Sequence, residues 1–416
     1  MRVPQLAEGK AGGMGMMKLD VTEQESGMVV RPEGRIDTTN AADFGAALAE
    51  ARAAHPNGGV ELDFSAVEYI SSAGLREVLK LQKGETEKVR VTHLSAETYE
   101  IFDVTGFSKI VDTFREPEEF PVDGLEEIGR GRNGVVYRVD GDTIIKVAGP
   151  QYSFDHVEDE RRKSQAALVA GLPTAIPFKT VRVGESYGAL YELVDAKSVR
   201  ATATADQGRA YELGTKMGQL TREMSRTPAD KSLAMDMRTR NIEDARATAK
   251  LFGQELADAV AQAYEALPER ETYLHGDFHG ANIMVQGDEL VMIDMGELGF
   301  GHPLIDLAST CLSEYVPFMR DPKRGEKTQG VPAEVAAAIY KGTLDAFFGE
   351  QPAPMREGLE KLVLGYAFCR MAIVNTRFDL QLPPEVAAGL KQALLASLPL
   401  IQAAPQMFSQ LEGAFE

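Results

Sequence analysis

Apolar and polar positions alternate in short runs over about residues 18–114. Met28–Ile36 is a strand-like run broken by Pro32 and Gly34, and Val60–Phe64 alternates like a half-buried strand. Between and after them, the alanine-rich segment Ala41–Ala54 and the segment Ala73–Gln82 read as helices. Strands that alternate with helices indicate an α/β domain built on one sheet.

A second, longer region follows at about residues 125–416. It is separated from the first by a short linker predicted at 115–124, which contains two prolines and a cluster of charges. Strand-like runs dominate residues 125–195, and residues 196–416 are largely helical, so we expect an α+β domain here. Residues 1–17 show no periodicity and are expected to be a flexible tail.

Composition limits the class of protein. A chain of 416 residues can form two or three domains with cores, and 44% hydrophobic with 26% charged residues is ordinary for a globular protein. The net charge of −19 argues against nucleic-acid binding, which needs a basic face. The same charge is compatible with a cationic substrate.

Several features predict a cytoplasmic protein without membrane insertion. No run of about 20 apolar residues is present, and the N-terminus lacks the apolar segment of a signal peptide. Cys311 and Cys369 lie in apolar surroundings without metal-ligand spacing. We therefore expect both to be reduced core residues.

The most informative stretch is Leu274–Met284, followed closely by Val291–Gly296. It places Asp277, Asn282 and Asp294 at fixed intervals between apolar runs. Two of these runs flank a polar turn and read as a hairpin. Pairing its strands would bring Asn282 and Asp294 to one end, beside the loop that carries Asp277.

This set of side chains suits phosphoryl transfer. Such a reaction needs a carboxylate that orients the attacking hydroxyl and receives its proton, and oxygen ligands for Mg²⁺. We predict the first role for Asp277 and the second for Asn282 and Asp294. The alternative is an ordinary polar loop with a turn, but the complete spacing is more specific than that.

The pattern H-G-D-x-H-x-x-N followed by I-D-x-G resembles the catalytic and metal-binding loops of the aminoglycoside phosphotransferase and choline kinase group, relatives of protein kinases. The resemblance continues through Gly299–Ala308, where Asp306 matches an aspartate that is usually structural. It implies that His275 and His279 orient the catalytic loop by hydrogen bonds. A zinc site formed by these two histidines is the less favoured alternative.

A glycine motif, G-x-G-x-x-G, is formed by Gly129, Gly131 and Gly134. Dinucleotide-binding folds place a helix after this motif and kinases place a strand. The β-branched segment Val135–Val139 favours the kinase version. Its glycines would let backbone N–H groups approach a triphosphate.

Lys146, one hairpin later, matches the kinase lysine that holds the α- and β-phosphates. It needs a carboxylate from the next helix, for which Glu160 is predicted and Glu158 is the alternative. By resemblance, the strand that ends near Glu192 leads to the hinge between a small lobe (about 125–195) and a large helical lobe (about 196–416). The backbone of Glu192 and Val194 would then bind adenine.

Phe64–Leu75, together with Gly34–Asp37, resembles the STAS domain of anti-sigma-factor antagonists over about residues 18–114. This implies a mixed sheet with helices. In that family a serine at the start of this helix accepts a phosphate, which releases the partner protein, and Ser72 is the matching position. Capping of the helix by its serines is the alternative reading.

The sequence therefore predicts an ATP- and Mg²⁺-dependent phosphotransferase with a STAS domain that regulates it or binds a regulatory protein. Because the chain leaves little room between Asp294 and Asp306 for a peptide-presenting segment, a hydroxyl of a small molecule is the expected acceptor. One alternative is a protein serine kinase that phosphorylates Ser72 of its own or another STAS domain. The other is a non-catalytic, nucleotide-sensing interaction protein of the anti-sigma-antagonist type.

Overall fold

The computed structural model describes most of the chain, namely residues 19–24, 27–115, 117–131, 133–378 and 383–411. The predicted tail, residues 1–17, lies outside these ranges. The chain divides into two compact units, with the division between Glu118 and Glu119.

The first unit combines six strands in one sheet with three helices. The strands are β1 (Leu19–Gln24), β2 (Gly27–Ile36), β3 (Gly59–Asp63), β4 (Ala66–Ile70), β5 (Arg90–Leu94) and β6 (Asp112–Arg115). The helices are α1 (Ala41–Ala54), α2 (Ser72–Lys83) and α3 (Ala96–Val104).

The sheet has the order β1-β2-β3-β5-β6, and β4 pairs with β2. The β1–β2 pair is antiparallel and the other pairs are parallel, which confirms the predicted α/β domain with a mixed sheet. Pro32 does not break β2, because it lies between the residues that pair with β3 and those that pair with β4. Pro32 is therefore not required to donate a backbone hydrogen bond to β3 or β4, and its missing N–H leaves these two pairings intact.

The second unit begins with an antiparallel sheet of order β10-β11-β9-β8-β7. Its elements are β7 (Glu126–Arg130), β8 (Gly134–Arg138), β9 (Thr143–Ala148), α4 (Phe154–Val169), β10 (Pro177–Val183) and β11 (Ser186–Glu192). Phe120 and Val122 pack against the buried cluster of Ile145, Val181 and Leu190 in this sheet. Part of the segment predicted as a linker, 115–124, therefore packs with the second unit, and Arg115 ends β6.

The rest of the second unit is mainly helical, with short strands between the helices. The helices are α5 (Val199–Ala205), α6 (Ala210–Met224), α7 (Met237–Ala247), α8 (Ala249–Phe252), α9 (Gln254–Glu265), α10 (Leu304–Glu314), α11 (Pro322–Gln329), α12 (Ala333–Phe348), α13 (Ala353–Arg377) and α14 (Pro384–Leu411). The strands are β12 (Lys197–Ser198), β13 (Met235–Asp236), β14 (Tyr273–Leu274), β15 (Ile283–Gln286), β16 (Glu289–Met292) and β17 (Gly299–Phe300).

This arrangement is the expected kinase-like α+β fold with a sheet-rich small lobe and a helical large lobe. The large lobe has an extensive apolar core in which α10 and α13 are central, and residues such as Leu307, Leu362 and Tyr366 are fully buried. Among the described residues, no helix combines the length and apolar character needed to cross a membrane.

Candidate active site

Lys146 on β9 lies between two carboxylates from different parts of the second unit. Its Nζ donates to Glu160 Oε1 on α4 at 2.6 Å and to Asp294 Oδ1 at 2.9 Å. Burial opposes the charge of Lys146, but the two carboxylates outweigh it and raise its pKa. The alternative partner, Glu158, instead accepts hydrogen bonds from Arg161 and from Thr180.

The three glycines of the motif differ in the space that a Cβ atom would find at each position. At Gly134 a Cβ would lie 2.0 Å from the Val147 carbonyl oxygen, so the pairing of β8 with β9 requires glycine there. At Gly131 no heavy atom lies within 4 Å of that position, and at Gly129 the nearest is at 3.8 Å. The fold therefore leaves open space around Gly131, into which a ligand could come close to the backbone.

The predicted hinge follows β11 directly. The Glu192 N–H donates to the Ile176 carbonyl at 2.9 Å, and its carboxylate accepts from the Ile176 N–H at 3.3 Å. Val194 is buried, and its carbonyl accepts from Ala196 N–H at 2.8 Å. These bonds join Glu192 to the residue before β10 and close a tight turn from Val194 to Ala196.

Asp306 fixes the start of the catalytic loop. Its two carboxylate oxygens accept from the backbone N–H groups of His275 at 2.8 Å and Gly276 at 2.9 Å. Asp306 is fully buried, and this burial raises its pKa. Gly276 has φ 82°, and a Cβ there would lie 2.2 Å from the Glu297 carbonyl oxygen, so glycine is required at this turn.

The two loop histidines each bind the loop backbone. His275 Nδ1 accepts from Asp277 N–H at 3.3 Å, so its proton is on Nε2, which lies 3.0 Å from the Ile293 carbonyl oxygen. His279 Nδ1 accepts from Ala281 N–H at 3.3 Å. Across the described residues, no three His, Cys, Asp or Glu side chains are grouped as metal ligands.

Asp277 carries a carboxylate with several donors around it. Oδ1 accepts from Arg370 Nη2 at 2.9 Å and from Ser309 Oγ at 3.3 Å, while Oδ2 lies 3.5 Å from His279 Nε2. Burial opposes ionisation, but the nearby His279 side chain and the Arg370 charge outweigh it and lower the pKa of Asp277. The carboxylate is therefore ionised at neutral pH, and its side chain is still 42% exposed.

Asn282 and Asp294 lie at the same end of the β15–β16 hairpin, where Ile293 N–H donates to the Asn282 carbonyl at 3.0 Å. The Asn282 Nδ2 donates to the Asp277 carbonyl at 3.1 Å, which leaves the amide oxygen for another partner. Asp294 has a left-handed φ of 62°, and its side chain is 48% exposed. An amide oxygen and a carboxylate are donors that Mg²⁺ accepts, so these residues fit such an ion.

Sequence reasoning missed a set of polar residues on α10 and α13 that support this loop. Ser309 contacts Asp277, Thr310 Oγ1 donates to the Phe278 carbonyl at 2.9 Å, and Glu314 Oε1 accepts from Gly280 N–H at 3.0 Å. The available signal was a polar stripe at 306, 310 and 314 on a helix whose other residues are apolar or serine. No local pattern pointed to Arg370.

In the first unit, the two serines at the start of α2 have different surroundings. Ser71 is buried, and its Oγ accepts from Gly74 N–H at 3.4 Å, so it is the capping residue. Ser72 is the first residue of the helix and is exposed. A hydroxyl at this place is accessible and next to free helical N–H groups.

Two family models match the chain. Residues 19–112 match the model described as "Mlab, STAS domain", and residues 124–338 match the model described as "Phosphotransferase enzyme family". No curated protein sequence matches the chain.

Solved structures similar to this chain include three kinases. A choline/ethanolamine kinase family protein from Mesorhizobium loti has 16% identity, a TM-score of 0.43, and coverage of 70% of this chain and 92% of the other. An aminoglycoside-3'-phosphotransferase of type VIII has 18% identity and a TM-score of 0.39, and the match covers 58% of this chain and 93% of the other. A Streptomyces rimosus aminoglycoside phosphotransferase, solved with ADP and streptomycin, has 18% identity and a TM-score of 0.37. That match covers 53% of this chain and 92% of the other.

The second family model spans more than half of the chain and includes the glycine motif, Lys146 and the whole loop from His275 to Asp306. The chain therefore belongs to the phosphotransferase enzyme family, and residues 19–112 of the same chain match a STAS domain.

Proposed function

We propose that this protein transfers the γ-phosphoryl group of ATP, bound with Mg²⁺, to a hydroxyl of a small molecule. The observation that carries the proposal is the meeting of Lys146, Glu160 and Asp294, with contacts of 2.6 and 2.9 Å, in the same unit as the Asp277 loop. A charged lysine held by carboxylates is the group that phosphoryl transfer uses to hold the α- and β-phosphates.

The donor side of the site would be formed by the glycine motif and the hinge. The open space at Gly131 would let phosphates approach this part of the loop, where the Gly131 N–H itself already donates to the Gly134 carbonyl at 2.9 Å. The backbone of Glu192 and Val194 would bind adenine. Asn282 and Asp294 would hold Mg²⁺, which, when bound, neutralises charge on the phosphate oxygens.

The acceptor side would be formed by Asp277. Its carboxylate would accept a hydrogen bond from the acceptor hydroxyl and receive the proton as the hydroxyl oxygen bonds to the γ-phosphorus and ADP leaves. Because its pKa is low, orientation of the hydroxyl contributes more than basicity. His275, His279 and Asp306 would hold the loop that carries it.

A small acceptor is favoured by the short connection after Asp294. Residues 295–303 contain one helical turn, Met295–Glu297, and β17, which pairs with β13 and β14. Helix α10 then begins at Leu304. This connection contains no segment that could present a peptide to Asp277.

The STAS domain would regulate the kinase or bind a regulatory protein. The exposure of Ser72 at the start of α2 favours one further role, acceptance of a phosphate by this serine. Intact mass measurement after incubation with Mg-ATP tests it. An unmodified Ser72 would exclude self-phosphorylation.

The proposal is tested by ADP formation from Mg-ATP over a panel of amino alcohols, sugars and aminoglycosides. Asp277→Asn keeps the size of the side chain and should lower kcat by a factor of at least about 100 with any active acceptor. Asp288→Asn is the matched control, because Asp288 lies in the turn of the same hairpin with a 97% exposed side chain. Equal loss in both variants, or none in Asp277→Asn, would exclude the proposed role of Asp277.

A further inference from the structure

Arg370 contacts the proposed catalytic carboxylate from outside the loop motif. It lies on α13, 93 residues after Asp277, and its Nη2 donates to Asp277 Oδ1 at 2.9 Å. Its side chain is only 11% exposed. An ion pair with a hydrogen bond in such surroundings is strong and restricts the orientation of both groups.

The two oxygens of Asp277 have unequal partners. Oδ1 accepts from Arg370 and also from Ser309 Oγ at 3.3 Å. Oδ2 has only longer contacts, with Asn282 Nδ2 at 3.4 Å and His279 Nε2 at 3.5 Å. The stronger contacts therefore fix Oδ1 and leave Oδ2, on the side of Asn282, as the oxygen with capacity for another hydrogen bond.

We propose that Arg370 is a positioning residue for phosphoryl transfer, which holds Asp277 Oδ1 so that Oδ2 faces the acceptor hydroxyl. This inference rests on the proposed function of Asp277. A guanidinium suits the task because it is planar and permanently charged and directs its donors in a fixed fork. Orientation matters here, since a displacement of about 1 Å can reduce a rate about 100-fold.

The same helix offers a matched control. Arg377 lies seven residues after Arg370, and its side chain is 20% exposed. It pairs with Asp244 and, at 3.2 Å, with Glu297. Substitution of Arg377 therefore removes a comparable ion pair from α13 without removing a contact to Asp277.

The experiment compares Arg370→Gln, Arg370→Lys and Arg377→Gln in the full chain, with Mg-ATP as donor and water as the acceptor that is always present. ADP release gives kcat, and the binding of a fluorescent ATP analogue gives the nucleotide Kd. Arg370→Gln should lower kcat about 10- to 100-fold with the Kd within about twofold of wild type. Arg370→Lys should recover part of the loss, and Arg377→Gln should stay near wild type.

A double variant separates positioning through Asp277 from a general structural effect. If Arg370 acts through Asp277, the variant Asp277→Asn with Arg370→Gln should be no slower than Asp277→Asn alone. Losses that multiply, or a wild-type kcat in Arg370→Gln, would overturn the inference. If Asp277→Asn itself has a wild-type kcat, the proposed function of Asp277 fails instead.

Ser309→Ala keeps the test decisive if Arg370→Gln does not fold, as judged by circular dichroism. It removes the second donor to Oδ1 without changing any charge. A loss of a few-fold in kcat that disappears in the Asp277→Asn background is expected. Full activity in both Ser309→Ala and Arg370→Lys would contradict the positioning role.

Discussion

At the scale of single residues, Lys146 forms ion pairs with both lobes of the second unit. It donates to Glu160 in the small lobe and to Asp294 beside the catalytic loop. Burial alone would favour the neutral amine, yet the two carboxylates keep it charged. The proposed phosphate ligand is thus a charged ammonium group even without a nucleotide.

The glycine motif gives a residue-scale prediction, because Gly131 and Gly134 differ in their surroundings. Gly131→Ala should leave the melting temperature nearly unchanged, since a Cβ there meets open space, but should weaken nucleotide binding about tenfold if phosphates approach this backbone. Gly134→Ala should lower the melting temperature by several degrees, because a Cβ would clash with the Val147 carbonyl.

Thermal unfolding followed by circular dichroism and titration with a fluorescent ATP analogue measure the two effects. If both variants bind nucleotide like the wild type at temperatures where they are folded, the triphosphate does not approach this loop. A large destabilisation by Gly131→Ala would contradict the open space seen around it.

Asp277, Asn282 and Asp294 could be proposed as site residues from the sequence because the proposed chemistry depends on a spacing within one loop and hairpin. Arg370 could not, since nothing near it in the sequence shows that α13 faces the catalytic loop. The sequence favoured Glu160 over Glu158 as the partner of Lys146, and the structure pairs Lys146 with Glu160. Only the packing of α4 on the sheet decides which carboxylate faces Lys146.

At the scale of elements, side chains of α10 bind the backbone of the loop that contains Asp277. Residues at helical spacing along α10 bind successive backbone N–H groups of the loop. Asp306 accepts from His275 and Gly276, and Glu314 accepts from Gly280. Glu314 is fully buried and also pairs with Arg200 at 2.8 Å. Hydrogen bonds from this one helix therefore stabilise the conformation of the loop, in addition to the bonds within the loop itself.

An element-scale prediction follows for Thr310, whose hydroxyl donates to the Phe278 carbonyl. Thr310→Val keeps the volume, removes this bond and should lower kcat about three- to tenfold with little change in nucleotide Kd. Thr343→Val is the control, because Thr343 is equally buried but donates to Ile339 of its own helix, α12.

Both substitutions should cost about 1 kcal/mol in the free energy of unfolding, and only Thr310→Val should slow the reaction. Urea unfolding by circular dichroism and steady-state ADP release measure the two quantities. Equal kcat values in the two variants would argue that α10 supports the fold without positioning the loop.

Elements with clear periodicity were predictable, and short or interrupted ones were not. The helix Ala41–Ala54 has the predicted bounds, and the glycine-motif hairpin and the hairpin after Asn282 lie where the apolar runs placed them. The strand β10, with its lysine and arginine, lacks a strong alternation of apolar and polar residues. It is identified only by its pairing with β11.

At the scale of the whole molecule, two units with separate apolar cores are joined in one chain, one matching a STAS model and one a phosphotransferase model. The net charge of −19 does not describe the active site, where Lys146 and Arg370 place positive charge next to carboxylates. Composition could therefore argue against nucleic acid as a partner class but could not describe the site.

The most direct test of the central claim incubates the 416-residue chain with γ-labelled ATP and the panel of small hydroxyl compounds, and asks where the label goes. The label should appear on a small molecule with the wild type and be lost with Asp277→Asn. Label that appears only on the protein, at Ser72, would make it a protein kinase. ATP that binds and stays intact with every acceptor would contradict catalysis by this site.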